Sequence, residues 1–163
     1  AQCLVGSEMC IRDRAHTVAV FLSFDGELDT QPLIEQLWRA GKRVYLPVLH
    51  PFSAGNLLFL NYHPQSELVM NRLKIHEPKL DVRDVLPLSR LDVLITPLVA
   101  FDEYGQRLGM GGGFYDRTLQ NWQHYKMQPV GYAHDCQLVE KLPVEEWDIP
   151  LPAVVTPSKV WEW

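Results

Sequence analysis

The sequence lacks a long hydrophobic run and an excess of positive charge. No apolar stretch approaches the roughly 18 residues that span a membrane, and residues 1–14 have neither the basic start nor the apolar centre of a signal peptide. Asp and Glu number 20 against 15 Lys and Arg, a net charge of −5. Generic nucleic-acid or anionic-membrane binding needs a basic face. We therefore expect a cytoplasmic protein that binds neither nucleic acid nor membrane.

Cysteine is also scarce, at three residues. Cys3 and Cys10 lie in the first fourteen positions and only Cys136 lies in the body, which excludes a disulfide framework and favours a reducing compartment. We expect Cys136 to be packed. Residues 1–14 start at Ala1 and show no helical or strand period, and CLVGSEMCIRDR looks like translated sequencing-adapter read-through. We expect 1–14 to be a non-native head, with a genuine terminus as the alternative.

Residues 15–163 have the size and composition of one domain, with 47% hydrophobic and 21% charged residues in the whole chain. The β-branched and aromatic run 17–24 predicts a buried strand. Asp29 or Thr30 can cap a helix over 31–40, which Gly41 ends. A second strand is predicted over 43–49. Strand, helix and strand within about thirty residues indicate a parallel crossover unit.

The remaining pattern alternates between strands and helices. Strands are predicted over 57–62, 129–133 and 153–156, with the most apolar run, 92–101, as a central strand. Helices are predicted over 64–72 and 114–125, and 74–87 is expected to be a surface connection. The fold class indicated is α/β, a single three-layer domain with a mostly parallel, Rossmann-like sheet.

A glycine-rich segment carries the clearest functional signal. Five of the ten glycines fall within 105–113, in YGQRLGMGGGFYDR, between the central strand and a helix. Ligands of open α/β sheets bind at the carboxyl ends of the strands. Glycines let backbone N–H groups wrap a phosphate, and Arg107 adds a charged fork. The segment matches neither a P-loop nor the dinucleotide fingerprint.

Asp116 follows this segment and would repel a polyphosphate. A divalent cation resolves the conflict, since Mg²⁺ binds between one or two carboxylates and phosphate oxygens. The functional hypothesis is a nucleotide–Mg²⁺ site. The alternative is a flexible turn followed by an ordinary capping Asp.

The segments PLVAFDEYGQRLGMGGGFYDR, FLSFDGELDT and PVEEWDIPLPAVVTP resemble the 5-formyltetrahydrofolate cyclo-ligase family, colinearly from about Ala15 onward. The resemblance implies a bacterial member that converts 5-formyltetrahydrofolate, ATP and Mg²⁺ to 5,10-methenyltetrahydrofolate, ADP and phosphate through an imidate phosphate. We expect a monomer whose partners are folate and ATP. The family begins with a basic helix where residues 1–14 stand, so a truncated, impaired enzyme is expected.

The resemblance also implies site residues. The family's catalytic positions fall on Arg107 and Tyr115, and its magnesium-binding acids on Asp116 and Asp148. Folate contacts fall on Leu22 and Glu27, and also on Met110, Gly111, Gly112, Gly113 and Phe114. The ATP-binding positions are Arg107, Leu108, Gly109, Met110, Gly111, Gly112, Gly113, Phe114 and Tyr115.

The sequence is also compatible with two other functions. A sugar-phosphate isomerase or acyl-transfer enzyme would use the glycine segment for a monophosphate or pantetheine, with Glu103 as its best-motivated base. A non-catalytic nucleotide- or folate-binding module is the other. The adjacent His134, Asp135 and Cys136 are expected to be loop residues, because catalytic groups normally converge from separate segments.

Overall fold

The computed structural model describes residues 15–23, 27–53, 55–109 and 112–163. Two α-helices lie in this part of the chain, α1 over Gln31–Arg39 and α2 over Phe114–Leu119. The strands of the first half are β1 Thr17–Ala19, β2 Arg43–Leu49, β3 Leu57–Tyr62, β4 Leu68–Met70, β5 His76–Pro78 and β6 Val85–Leu86. Those of the second half are β7 Val93–Thr96, β8 Ala100–Phe101, β9 Arg107–Leu108, β10 Gln128–Tyr132, β11 Ala153–Val155 and β12 Val160–Glu162.

The central sheet has the order β12-β11-β10-β7-β1-β2-β3-β6 within the described residues. Its five inner strands, from β11 to β2, are parallel to one another, whereas β12, β3 and β6 pair antiparallel at the two edges. The predicted α/β class with a mostly parallel sheet is therefore confirmed. The predicted crossover unit is present, since β1 and β2 pair in parallel with Thr17 opposite Arg43 and α1 between them in sequence.

Helix α1 begins and ends as its flanking residues predict. The Asp29 carboxylate accepts a hydrogen bond from the Gln31 backbone N–H at 3.0 Å, while the Thr30 hydroxyl donates to the Phe21 carbonyl instead. Gly41 follows the helix with φ of 76°, the left-handed conformation that glycine adopts most easily. Leu33, Ile34 and Leu37 are buried against one face of the sheet.

The opposite face of the sheet is covered by a second apolar cluster. Phe59, Leu94 and Phe101 pack there with Leu119 of α2 and with Met127. Helix, sheet and the layer around α2 form the three layers that the sequence predicts. No helix of the described residues is long and apolar enough to cross a membrane.

The helix predicted over 64–72 is wrong, because β4 lies there and pairs antiparallel with β5. The Ser66 hydroxyl oxygen accepts the His63 N–H at 2.9 Å, and the Asn71 side-chain oxygen accepts the Leu73 and Ile75 N–H groups at 2.8 and 3.2 Å. Such side-chain bonds satisfy the backbone in turns and compete with helix. The predicted surface connection 74–87 contains β5 and the edge strand β6.

Other predicted elements are present but shorter. The 17–24 strand ends at Ala19, although the Val20 N–H still bonds to the Tyr45 carbonyl. The 92–101 strand is interrupted after Thr96 at Pro97, and its last residues form β8, which pairs with β9. The 114–125 helix ends at Leu119, and left-handed Asn121 (φ 62°) precedes a 3-10 turn, Trp122–His124. The predicted head, residues 1–14, lies outside the described residues.

Candidate functional site

A cavity of about 760 Å³ opens at the carboxyl ends of β1, β2 and β7. Phe21 and Leu22 follow β1, Leu49 ends β2, and Pro97 follows β7. This is where the sequence predicts a ligand site for an open α/β sheet. Further wall residues from the glycine segment are Arg107, Leu108, Gly109, Gly112, Gly113, Phe114, Tyr115 and Asp116. Met110 and Gly111 lie outside the described residues.

Arg107 is a buried cation in the cavity wall. Its side chain is only 4% exposed. Its Nε donates to the Pro97 carbonyl oxygen at 2.9 Å, and Nη1 lies 3.5 Å from Asp116 Oδ1. Burial lowers the pKa of the Arg107 guanidinium, and the charges of Asp116 and Asp148 oppose that effect. The group remains protonated because an arginine does not lose its proton in proteins.

Gly109 allows the backbone to approach Arg107 closely. A Cβ atom at this position would lie 2.9 Å from Arg107 Nη2, closer than side-chain carbons normally come to another heavy atom. Gly113 precedes α2 with φ of 68°, in the left-handed region that favours glycine. The two glycines therefore have separate roles, one in close packing and one in backbone conformation.

Tyr115 lies against Arg107, whose guanidinium carbon is 5.5 Å from the centre of the tyrosine ring. Burial raises the pKa of the Tyr115 phenol, the Arg107 cation partly opposes the rise, and Glu27 adds to it. The phenol is therefore protonated at neutral pH and can donate a hydrogen bond. The influence of Glu27 also places that carboxylate within electrostatic reach of Tyr115.

Asp116 and Asp148 bring two carboxylates to the same cavity from separate segments. Asp116 lies in the first turn of α2, and its Oδ1 accepts the Ile149 N–H at 3.4 Å. Asp148 Oδ2 accepts the Glu145 N–H at 2.8 Å, which closes a tight turn. Among the described residues no group of three or more His, Cys, Asp or Glu side chains is arranged to hold a metal ion. A cation here would need oxygens from a ligand as well.

Leu22 and Glu27, on the connection from β1 to α1, line the same cavity. The predicted catalytic, ATP-binding, folate-contacting and magnesium-binding residues thus line one cavity, apart from Met110 and Gly111.

One wall of the cavity is absent from the predicted site. The β4–β5 hairpin contributes Asn71, Leu73, Ile75, His76 and Glu77. Glu77 Oε2 accepts hydrogen bonds from the Leu49 N–H at 3.1 Å and from Asn71 Nδ2 at 2.9 Å, and so joins the hairpin to the end of β2. Nothing in the local sequence pattern indicates this wall, because its place depends on pairing between segments.

A second unpredicted part of the wall precedes Asp148. Glu145 and Trp147 line the cavity, and Trp147 is 67% exposed. The sequence does not indicate that Trp147 belongs to the site, because its position at the cavity becomes visible only in the folded chain.

The residues of the other readings lie elsewhere. Glu103 is exposed and is not among the described residues that line this cavity. It therefore does not lie where a general base for a ligand in the cavity would have to be. His134, Asp135 and Cys136 lie on and beside the 3-10 turn Asp135–Gln137, as loop residues. Cys136 is exposed, so the expectation that it is packed is wrong. The 3-10 turn lies beyond the end of β10, and Asp135 and Cys136 are both exposed there.

The chain is similar in sequence to proteins of one family. Residues 7–157 match the sequence model of the 5-formyltetrahydrofolate cyclo-ligase family. The chain is 99% identical over 149 residues to the 5-formyltetrahydrofolate cyclo-ligase of Escherichia coli K12, covering 91% of this chain and 82% of that protein. Identity to the Haemophilus influenzae enzyme of the same name is 59% over 138 residues, 85% of this chain and 74% of that protein.

The fold agrees as well. The NMR structure of Aquifex aeolicus 5,10-methenyltetrahydrofolate synthetase superposes with a TM-score of 0.79 at 29% identity, covering 99% of this chain and 77% of that one. Family model, relatives and fold point to one group of proteins. The chain therefore belongs to the 5-formyltetrahydrofolate cyclo-ligase family.

Proposed function

We propose that this cavity is where the chain, as an ATP-dependent ligase of its family, cyclises 5-formyltetrahydrofolate to 5,10-methenyltetrahydrofolate with release of ADP and phosphate. The observation that carries the proposal is the meeting of Arg107, Tyr115 and Asp116 with Leu22 and Glu27 in one cavity. A cation, a neutral phenol and separate carboxylates are the groups that an anionic nucleotide and a pterin would need.

The nucleotide would bind along the glycine segment. Backbone N–H groups of Gly109, Gly112 and Gly113 can approach phosphate oxygens without interference from side chains. Arg107 supplies positive charge from a fixed position, since Pro97 and Asp116 already hold its guanidinium. Leu108, Met110, Gly111, Phe114 and Tyr115 complete the proposed ATP site.

Asp116 and Asp148 fit a magnesium ion. Mg²⁺ in nucleotide sites takes one or two protein carboxylates together with phosphate oxygens and water, and Asp116 and Asp148 line one cavity from separate segments. When bound there, the ion would neutralise phosphate charge. Arg107 alone cannot do this, because Asp116 and Asp148 already compensate its charge.

The pterin end of the folate would lie by Leu22 and Glu27. A carboxylate accepts hydrogen bonds from the N–H donors of a pterin, and Leu22 offers an apolar contact beside it. Gly112, Gly113 and Phe114, with Met110 and Gly111, would lie between folate and nucleotide. This arrangement would bring the formyl group next to the terminal phosphate.

The reaction then needs positioning more than covalent chemistry. The formyl oxygen attacks the terminal phosphorus, the bond to the ADP oxygen breaks, and an imidate phosphate forms. The neighbouring folate nitrogen attacks the formyl carbon, its proton is lost, and the carbon–oxygen bond to phosphate breaks. Arg107 would stabilise charge on the transferred group, and the Tyr115 phenol would donate a hydrogen bond to it.

Arg107→Gln tests this assignment. Formation of the methenyl product is followed by its absorbance with 5-formyltetrahydrofolate, ATP and Mg²⁺. We expect kcat/KM to fall by about a hundredfold or more, the usual effect of removing one donor that stabilises transition-state charge. Arg83→Gln is the matched control, because Arg83 is 85% exposed and its ion pair, with Asp81, lies in the surface 3-10 turn Val82–Asp84.

The outcomes separate the readings. The proposed site is supported if Arg107→Gln loses product formation while Arg83→Gln keeps the activity of the unsubstituted chain. Equal activity of both variants would place the chemistry elsewhere. Binding of folate and ATP by the unsubstituted chain without any product would favour a binding module.

A further inference from the structure

Asp102 is a fully buried carboxylate outside the cavity, in the turn between β8 and β9. Its Oδ1 accepts the backbone N–H groups of Tyr104 at 2.9 Å and Gln106 at 3.0 Å. Both bonds fix the turn that leads directly into Arg107. Burial of a carboxylate is costly unless hydrogen bonds compensate for lost water, so this group is a demanding choice for a simple turn.

The second oxygen of Asp102 binds a different segment. Its Oδ2 accepts the Leu142 N–H at 3.0 Å, forty residues away in sequence. Next to this bond, the Val139 N–H donates to the Phe101 carbonyl at 2.8 Å. These two bonds attach the segment 139–142 to the β8–β9 hairpin.

The two segments that meet at Asp102 form two walls of the cavity. The hairpin carries Arg107, and the chain beyond Leu142 continues through Pro143 and Glu145 to Asp148. The charge of Asp148 acts on Arg107, so the two walls face each other closely enough to interact. The buried Asp102 carboxylate is therefore hydrogen-bonded to both segments that continue into these walls.

We propose that Asp102 is a positioning residue for the nucleotide, setting the separation between the Arg107 wall and the Asp148 wall. The inference rests on the proposed function, in which both walls contact ATP or its cation. Asp102 itself touches neither ligand. Its effect is transmitted by Arg107 on one side and by the Leu142–Asp148 connection on the other.

Asp102→Asn is the sharpest perturbation. The amide keeps one acceptor oxygen for the turn but presents an NH₂ group to the Leu142 N–H, donor against donor. We expect KM for Mg-ATP to rise by at least about tenfold, because misplacement of a site by about 1 Å costs up to about a hundredfold. KM for 5-formyltetrahydrofolate should change far less, since Leu22 and Glu27 lie on another connection.

Asp92→Asn is the matched control. Asp92 also accepts backbone N–H groups, from His16 at 2.7 Å and Thr17 at 3.2 Å, and its Oδ1 lies 2.8 Å from Lys126 Nζ. It immediately precedes β7 and so lies at the amino end of the sheet, opposite the cavity. We expect Asp92→Asn to lower Tm and leave KM for Mg-ATP unchanged.

Both variants are assayed at a temperature where circular dichroism shows each to be folded. A selective rise in KM for Mg-ATP with Asp102→Asn supports the inference, and an unchanged KM overturns it. If Asp102→Asn does not fold, Val139→Pro removes the adjacent bond to Phe101 and leaves Asp102 intact. Leu138 has extended backbone (ψ 129°), which a following proline tolerates.

Val139→Pro must then raise KM for Mg-ATP, and no rise overturns the inference. Arg107→Gln serves as the reference for the proposed function. If it abolishes turnover while Asp102→Asn and Val139→Pro leave KM for Mg-ATP unchanged, only the positioning role fails. If Arg107→Gln is fully active, the proposed site itself fails.

Discussion

Asp92→Asn should destabilise the fold by an amount that depends on pH. Burial alone would raise the pKa of the Asp92 carboxyl, but Lys126 and the His16 and Thr17 N–H groups outweigh that effect and lower the pKa to about 2. These bonds join the start of β7 to the start of β1, so they are lost on unfolding. The folded state therefore stabilises the ionised form of Asp92.

The magnitude follows from the shift. A fall in pKa from 3.8 to about 2 corresponds to about 2 kcal/mol of unfolding free energy at neutral pH, at 1.36 kcal/mol for each pKa unit. The Asp92 side chain is 17% exposed, so solvent screens the interaction only in part. An Asn cannot carry the charge, and we expect Asp92→Asn to lose most of this stabilisation at pH 7.

The sign of the pH dependence is fixed by the direction of the shift. A lowered folded-state pKa gives stability that is present above the unfolded value, near 3.8, and is lost as pH falls through about 2. The difference in unfolding free energy between the unsubstituted chain and Asp92→Asn should thus shrink to about 1 kcal/mol at pH 3. Urea denaturation at pH 7 and pH 3 measures both differences.

Asp81→Asn is the control for loss of one surface charge. The pKa of Asp81 is also lowered to about 2, first by its side-chain hydrogen bond with Arg83. That pair lies on the surface within three residues of chain, where solvent and salt screen it. We expect a smaller effect that added salt removes. An equal loss of unfolding free energy in Asp92→Asn at pH 7 and at pH 3 would show that the ionised carboxylate of Asp92 does not stabilise the fold.

Two further predictions concern the cavity. Asp116→Asn should reduce Mg-ATP turnover far more than it lowers Tm, measured by calorimetry. The loss of stability has two sources, the acid in the first turn of α2, worth about 1 kcal/mol, and one of the two carboxylates that compensate the charge of buried Arg107. Equal loss of both would assign Asp116 to capping alone. Glu77→Gln keeps an acceptor for the Leu49 N–H, so KM for 5-formyltetrahydrofolate should stay near normal, whereas Glu77→Ala should raise it about fivefold, the equivalent of one hydrogen bond. If Glu77→Gln raises KM for 5-formyltetrahydrofolate as much as Glu77→Ala does, the charge of Glu77 matters rather than its hydrogen bond with the Leu49 N–H.

Elements with strong local signals were predictable. The strand bounds of β2 and β3 agree with the pattern, because their apolar runs end at clear turns. Helix α1 was predictable to within one residue from its capping and its terminal glycine. The region 64–87 was not, because Ser66 and Asn71 bind the backbone there and pairing between segments decides the outcome.

The candidate site divides in the same way. The glycine segment, Arg107 and Asp116 are contiguous, and a local motif was enough to place them together. Glu77 and Trp147 line the cavity only because a hairpin and a C-terminal segment fold over the strand ends. The sequence pattern did not indicate the role of Asp102, because its hydrogen-bond partner Leu142 is forty residues away.

Hydrophobic periodicity and a contiguous glycine motif are local properties of the chain, so the order of amino acids was enough to predict the α/β class, the mostly parallel sheet and the family. The segments that enclose the cavity, and the carboxylate that connects two of them, could be identified only from the folded chain. Those contacts form between residues distant in sequence, and their geometry depends on sheet order and on packing around the strand ends. The burial that displaces the pKa values of Arg107 and Tyr115 has the same origin.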